Sequence, residues 1–186
     1  MERKEALDLL LQYNKSESLI KHAYSVEAVM RHIAALKGED EDYWGTIGLI
    51  HDLDYEMFPD EHCSKTREIL EEKGAEEKLI RAIESHGYGI CTDVRPELDM
   101  EKVLYTIDEL TGLITATVLM RPDKSIMELE VKSVMKKFKT PKFAAGVNRE
   151  VITSGCSLMG MELDEVIALC IQGMKHIADD LGFSGQ

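Results

Sequence analysis

Cysteine is sparse in this 186-residue sequence: Cys63, Cys91, Cys156 and Cys170 stand far apart in the chain and form no C-x-x-C pair. A chain of this length can close a core without cross-links, which excludes a small disulfide scaffold, and the thiols are expected to be reduced. Positive charge is also short. Lys and Arg total 22 against 35 Asp and Glu, a formal net charge of −13, so the molecule repels nucleic-acid backbones and anionic membranes. Nucleic acid is therefore not an expected partner. No apolar run reaches membrane-spanning length; the greasiest stretch, Leu110 to Met120, is too short and too rich in threonine. The opening residues, Met1-Glu2-Arg3-Lys4-Glu5-Ala6, mix charges where a signal peptide needs an apolar segment. A cytoplasmic location is the expectation. Strand-like alternation is nearly absent too, which argues against a sheet.

What is present is 44% hydrophobic and 31% charged residues, the balance of a folded globular chain. Apolar residues recur at helical spacing from end to end, so the expected fold class is all-α, with residues 1–186 forming a single domain. Leu19, His22, Val26, Val29 and Ile33 share one face of a helix over about 17–37, and Trp44, Ile47, Gly48 and His51 share a face of the next. Further helices are expected from near His62 to Gly74 and from Ala75 to His86, the latter closed by Gly87. Gly87 to Leu98, with two glycines, Pro96 and no period, reads as a loop able to cover a site. Val103, Leu104, Ile107, Asp108, Thr111 and Ile114 mark a long helix from about Asp99 to Met120, stopped at Arg121-Pro122. Ser125 and Glu128 have capping-box spacing for a helix to about Lys139, and Thr140-Pro141 reads as an N-cap and first helical position. A core-facing stripe from Leu163 through Cys170 and Met174 to Leu181 completes the chain.

Several of these apolar faces carry imidazoles or carboxylates: His22, the doublet His51-Asp52, His62, His86 and Asp108. An unpaired buried polar group costs about 1–3 kcal/mol or more, so a shared partner is the economical explanation for all of them. Imidazole and carboxylate together suit divalent first-row metals, and six such ligands exceed the needs of one ordinary ion.

These residues, in the order H…HD…D (His22, His51-Asp52, Asp108), resemble the HD superfamily of metal-dependent phosphohydrolases. The flanking words Leu49-Ile50-His51-Asp52 and Val103-Leu104-Tyr105-Thr106-Ile107-Asp108 strengthen the likeness, which covers about residues 16–114 and leaves about 122–186 as a helical extension of the HD-type bundle. The two extra histidines are similar to the binuclear branch, H…HD…H…H…D, and to the small bacterial HD-type dinucleoside tetraphosphate hydrolases, through Glu61-His62-Cys63-Ser64 and Ala82-Ile83-Glu84-Ser85-His86. Overall the wording His51-Asp52-Leu53-Asp54-Tyr55-Glu56 and Asp108-Glu109-Leu110-Thr111-Gly112-Leu113 most resembles an uncharacterised group of predicted HD hydrolases. The resemblance implies His22, His51, Asp52 and Asp108 on a first divalent ion, and His62, His86 and a bridging Asp52 on a second. The donor set does not distinguish Fe, Mn, Co, Ni, Zn and Mg. It implies a hydroxide shared by the ions that attacks a phosphoester or phosphoanhydride in a small phosphorylated, nucleotide-like substrate.

The chain departs from those relatives after the doublet. Tyr55 stands where the tetraphosphate hydrolases carry lysine, and Glu56 falls one place beyond the catalytic glutamate of some mononuclear nucleotidases. Asp54 and Glu56 are candidate outer acids or bases, and Asp54 alternatively caps a turn before Pro59. Two other functions compete: a di-iron HD-type oxygenase, because the ligand types alone do not separate hydrolysis from oxygen chemistry, and a metal-stabilised ligand-binding module without turnover. Oligomeric state is left open. Lys132, Lys136, Lys137, Lys139 and Lys142 form the one basic cluster and read first as a solvated helix face, with Glu128 as an intrahelical partner of Lys132, and second as phosphate contacts, as do Arg95 and Arg121. His32 and His176 read as surface residues. Met120, Met127, Met135, Met159 and Met174 read as flexible core filler, and Cys156 as a buried thiol. Asn148-Arg149-Glu150 and Gly155 suggest no role.

Overall fold

A computed structural model describes residues 1–185. It is all-α: α1 (Arg3–Tyr13), α2 (Glu17–Lys37), α3 (Glu41–Ile50), α4 (Ser64–Glu72), α5 (Glu77–Ser85), α6 (Asp99–Leu119), α7 (Val131–Phe138), α8 (Arg149–Met159), α9 (Leu163–Lys175) and α10 (Ala178–Leu181). A 3₁₀ turn spans Pro59–Glu61. Among the described residues the only β-type pairings are two isolated bridges, Tyr88 with Thr92 and Ser125 with Ser184. No helix among them is long and apolar enough to cross a membrane.

The two longest helices, α2 and α6, form the frame. Helix α2 packs on α3, α6 and α9, while α6 also receives α5, α7 and α8. Apolar residues at helical spacing place Val26, Val29, Met30 and Ile33 of α2 against Leu104, Ile107, Leu113 and Ile114 of α6 in one buried cluster. Helix α1 is tied on by charge: Arg3 donates two hydrogen bonds to Glu27, at 2.6 and 2.9 Å, and Arg31 donates to the same carboxylate at 2.9 Å. Glu27 is buried, where a bidentate guanidinium contact offsets the loss of water.

The first two-thirds of the chain follow the helical periodicity closely, but the stretch after α6 does not. Ser125 and Glu128 do not start a helix. The Ser125 hydroxyl accepts from the Met127 amide, Ile126 donates to the Phe183 carbonyl, and α7 begins only at Val131. Pairing with the chain's end therefore wins over a local cap. Because Glu128 precedes the helix, Lys132 pairs instead with Glu130. Thr140-Pro141 does not open a helix either. Residues 141–146 are turns, and the next helix starts at Arg149 under an Asn148 cap that accepts from the amides of Glu150 and Val151. Arg149 holds the intervening segment together, its guanidinium donating to the carbonyls of Phe138, Thr140, Phe143, Ala144 and Val147. Gly155 has a role as well: a Cβ there would lie 2.1 Å from Thr106 Oγ1, so the absent side chain lets α8 press against α6.

Two smaller expectations change, and one pairing is new. Met120 and Met127 are exposed at the turn after α6 rather than filling the core, whereas Met174 is buried. His32 is half-buried and tilted against His176, ring centroids 5.3 Å apart, across the α2–α9 contact. Cys63 and Cys91, 28 residues apart in sequence, meet with their sulfurs 3.0 Å apart.

Candidate metal centre

The six candidate ligands converge from five stretches of chain. His22 projects from the second turn of α2 and Asp108 from the middle of α6. His51 is the residue at which α3 ends, and Asp52 lies in the run of turns over 51–57. The doublet therefore straddles a helix terminus instead of lying within a helix. His62 follows the 3₁₀ turn, and His86 ends α5.

His22, His51, Asp52 and Asp108 bring one ligand atom each within 4.8 Å of one another, and Asp52, His62 and His86 do the same. In the first group His22 Nε2 lies 2.9 Å from Asp108 Oδ1 and 3.2 Å from His51 Nε2. In the second, His62 Nε2 and His86 Nε2 are 3.2 Å apart. Asp52 belongs to both, one oxygen to each. Its Oδ2 lies 3.4 Å from His51 Nε2 and 3.7 Å from His22 Nε2, while its Oδ1 lies 3.3 Å from His86 Nε2 and 3.5 Å from His62 Nε2.

The outer nitrogens determine what these inner atoms can do. His51 Nδ1 donates to the Gly48 carbonyl at 2.8 Å, His86 Nδ1 to the Ile83 carbonyl at 2.5 Å, and His62 Nδ1 to Asp54 Oδ1 at 2.7 Å. A carbonyl or carboxylate accepts only, so each Nδ1 carries a hydrogen and the inward Nε2 is left to hold either a proton or, through its lone pair, a metal ion. Lone pairs facing one another and two carboxylates repel unless cations, as protons or metal ions, lie among them. The residues fit divalent metal on this ground.

Electrostatics point the same way. Burial would raise the Asp52 and Asp108 carboxyls, but the adjacent imidazoles, His51 foremost, hold both well below the usual range. Burial would lower His51 and His62; Asp52 with Asp108 raises the first, and Asp54 with Asp52 the second.

Asp54 is fully buried, and besides orienting His62 it accepts from the Thr66 amide at 2.8 Å. Its place is behind a ligand rather than in the cleft. Glu56 lies apart from the cluster: its exposed carboxylate accepts from the amides of Lys15 and Ser16, at 2.7 and 2.9 Å, and so caps the start of α2. Sequence reasoning missed Asn14, a buried side chain that donates to the Leu53 carbonyl at 3.0 Å and holds the doublet's turn from behind. It also missed Glu109, which lines the cleft beside Asp108 and accepts from the Asn148 amide at 3.0 Å. Asn14 is a single polar residue just past α1 and Glu109 one within α6, and neither carries a spacing signal.

The cleft over the ligands measures about 340 Å³, and the loop after α5 contributes Gly87, Ile90 and Cys91 to its rim. No lysine or arginine is among its described lining residues. Lys132, Lys136 and Lys139 flank a separate hollow with Asp164, Arg121 pairs with Asp123, and Arg95 offers its carbonyl to Arg81.

No solved structure matches the chain. Residues 19–113 match the family described as HD domain, a stretch that holds His22, the doublet, His62, His86 and Asp108. That family indicates a metal-dependent phosphohydrolase superfamily, and with more than half of its residues inside the match the chain belongs to the HD domain family.

Proposed function

We propose that the protein is a binuclear metal-dependent phosphohydrolase acting on a phosphoester or phosphoanhydride of a small, nucleotide-like substrate. The observation that carries this reading is the double allegiance of Asp52, whose two oxygens face two separate histidine sets. Divalent ions bound there would supply Lewis acidity toward a phosphoryl oxygen and an acidified water as nucleophile.

The protein's own groups account for the rest. His22, His51 and Asp108 would hold one ion, His62 and His86 the other, and Asp52 both. With Asp52, Asp108 and Glu109 beside its imidazoles, and no lysine or arginine among its described lining residues, the cleft attracts an anionic substrate only after cations enter. The Gly48 and Ile83 carbonyls and Asp54 fix the imidazoles before substrate arrives, so little reorganisation is needed at the moment of reaction. Beyond His22 and Gly112 the cleft adjoins a second hollow of about 540 Å³ that presents the hydroxyl-bearing Ser16, Ser18 and Thr115 beside Leu119 and Phe183. This mixed surface suits the sugar and ring of a nucleotide whose phosphate lies at the metals.

The test is phosphate release from a panel of nucleotides and phosphoesters by protein loaded with Mn, Co or Fe, with Asp52→Ala in parallel. Metal-dependent release that disappears with Asp52→Ala is expected. Release that survives the substitution overturns the mechanism. Substrate-dependent oxygen uptake with iron in place of hydrolysis would reassign the site to oxygenase chemistry, and recovery of a bound ligand unchanged would make it a binding module.

A further inference from the structure

Beside the cleft, the fold joins two thiols that no step above uses. Cys63 is buried immediately after His62, and Cys91 is exposed on the turn that follows His86. Their sulfurs are 3.0 Å apart. Three features of the backbone bring them there. Cys63 adopts φ 68° and ψ −48°, a conformation that non-glycine residues avoid and that persists only where surrounding structure imposes it. The turn carrying Cys91 is wound on one atom: the amides of Ile90, Cys91 and Thr92 all donate to the Gly87 carbonyl. Gly87 itself leaves the space, since a Cβ there would lie 2.3 Å from the Cys91 sulfur and 2.6 Å from that of Cys63.

His62, Cys63 and Cys91 lie close enough together to suggest a metal site of their own, but His62 is already committed. Its Nδ1 bonds to Asp54 and its Nε2 faces Asp52 and His86. The two sulfurs are left with each other.

We propose that Cys63 and Cys91 form a peroxide-responsive dithiol that closes reversibly into an intramolecular disulfide, tying the cleft's rim turn to the segment that carries His62. The exposed Cys91 thiol reacts first: hydrogen peroxide transfers an oxygen to its sulfur, giving a sulfenic acid and one water. The Cys63 thiol then attacks that sulfur, the S–S bond forms, and the hydroxyl leaves with the thiol proton as a second water. Two thiols lose two electrons in total, and one peroxide is reduced to two waters. This inference is independent of the hydrolytic reading, because its readout involves neither metal nor turnover.

The experiment treats the reduced full chain, with EDTA present, with a few equivalents of hydrogen peroxide. Thiols counted after denaturation should fall from the four in the sequence to two. A non-reducing peptide map should show Cys63 joined to Cys91 within one chain, with Cys156 and Cys170 still reduced, and dithiothreitol should restore all four. Cys63→Ser should leave a sulfenic acid on Cys91 that dimedone traps. If that buried substitution fails to fold, Cys91→Ser serves instead: all three remaining thiols should then resist the same dose. Disulfides between chains, over-oxidation of Cys91 with Cys63 still reduced, an unchanged count, or thiol loss in Cys91→Ser would each overturn the proposal.

Discussion

The two halves of the ligand cluster are held in different ways. His22 and Asp108 stand within long helices that pack directly on each other, and His51 ends a helix packed on the same α2. Their positions follow from the core. His62 and His86 stand where a 3₁₀ turn ends and where α5 ends, and their rings are aimed by single hydrogen bonds to Asp54 and to the Ile83 carbonyl. The contrast teaches that one half of the centre is as rigid as the bundle, whereas the other depends on a few polar contacts and can be weakened by itself.

The largest effect should come from the residue common to both halves. Asp52→Ala is expected to take metal content from about two equivalents to none and turnover to background, read by elemental analysis and phosphate release. Next come substitutions that separate the halves. His86→Ala should lose one equivalent and keep the other, while Asp108→Ala should strip the helix-borne ion. Loss of both ions from each variant would erase the distinction. Asp54→Asn keeps the shape behind His62 but removes the charge, and should weaken metal binding on that side by about 10–100-fold, read by competition with a chelating dye. The same change should leave the ion held by His22 and Asp108 unmoved.

How far these halves could be read from sequence follows the same division. His22, His51 and Asp108 interrupt apolar stripes, where a polar group is conspicuous because burying it costs energy, so periodicity alone exposes them. His62 and His86 join apolar faces only at helix ends, where a histidine is less conspicuous, and the family resemblance marks them more firmly than periodicity does. Asp54 lies in a turn whose course no spacing rule describes, which is why its contact with His62 was not legible. The region after α6 misled for a related reason. Ser125 and Glu128 have the spacing of a cap, yet the backbone there is claimed by residues 183 and 184 from far along the chain. Gly155 likewise acts through a distant neighbour, Thr106, and Arg149 through the carbonyls of an irregular segment just before it; neither leaves a spacing signature.

Two smaller effects sharpen the picture. Gly155→Ala should drive a methyl group into Thr106 and cost about 1–3 kcal/mol, read by denaturant unfolding, with metal stoichiometry retained. The pH response should differ in sign with and without metal. In the metal-free protein, Asp52 and Asp108 overcome burial and hold His51 well above its ordinary value of 6.5. A raised value in the folded state contributes stability that is complete below 6.5 and is lost as pH climbs through the raised value. Metal ions instead require neutral imidazoles, so their binding tightens over the same interval. The melting temperature with EDTA should therefore fall as pH rises from about 6.5, while that with excess Mn should rise. Parallel slopes would place the metal elsewhere.

The most direct measurement is an anomalous-difference map from Mn-loaded crystals, collected at the metal edge. It should show two peaks about 3.5–4 Å apart on either side of the Asp52 carboxylate, one touching His22, His51 and Asp108 and the other His62 and His86. A single peak, or ions that do not share Asp52, would contradict the account.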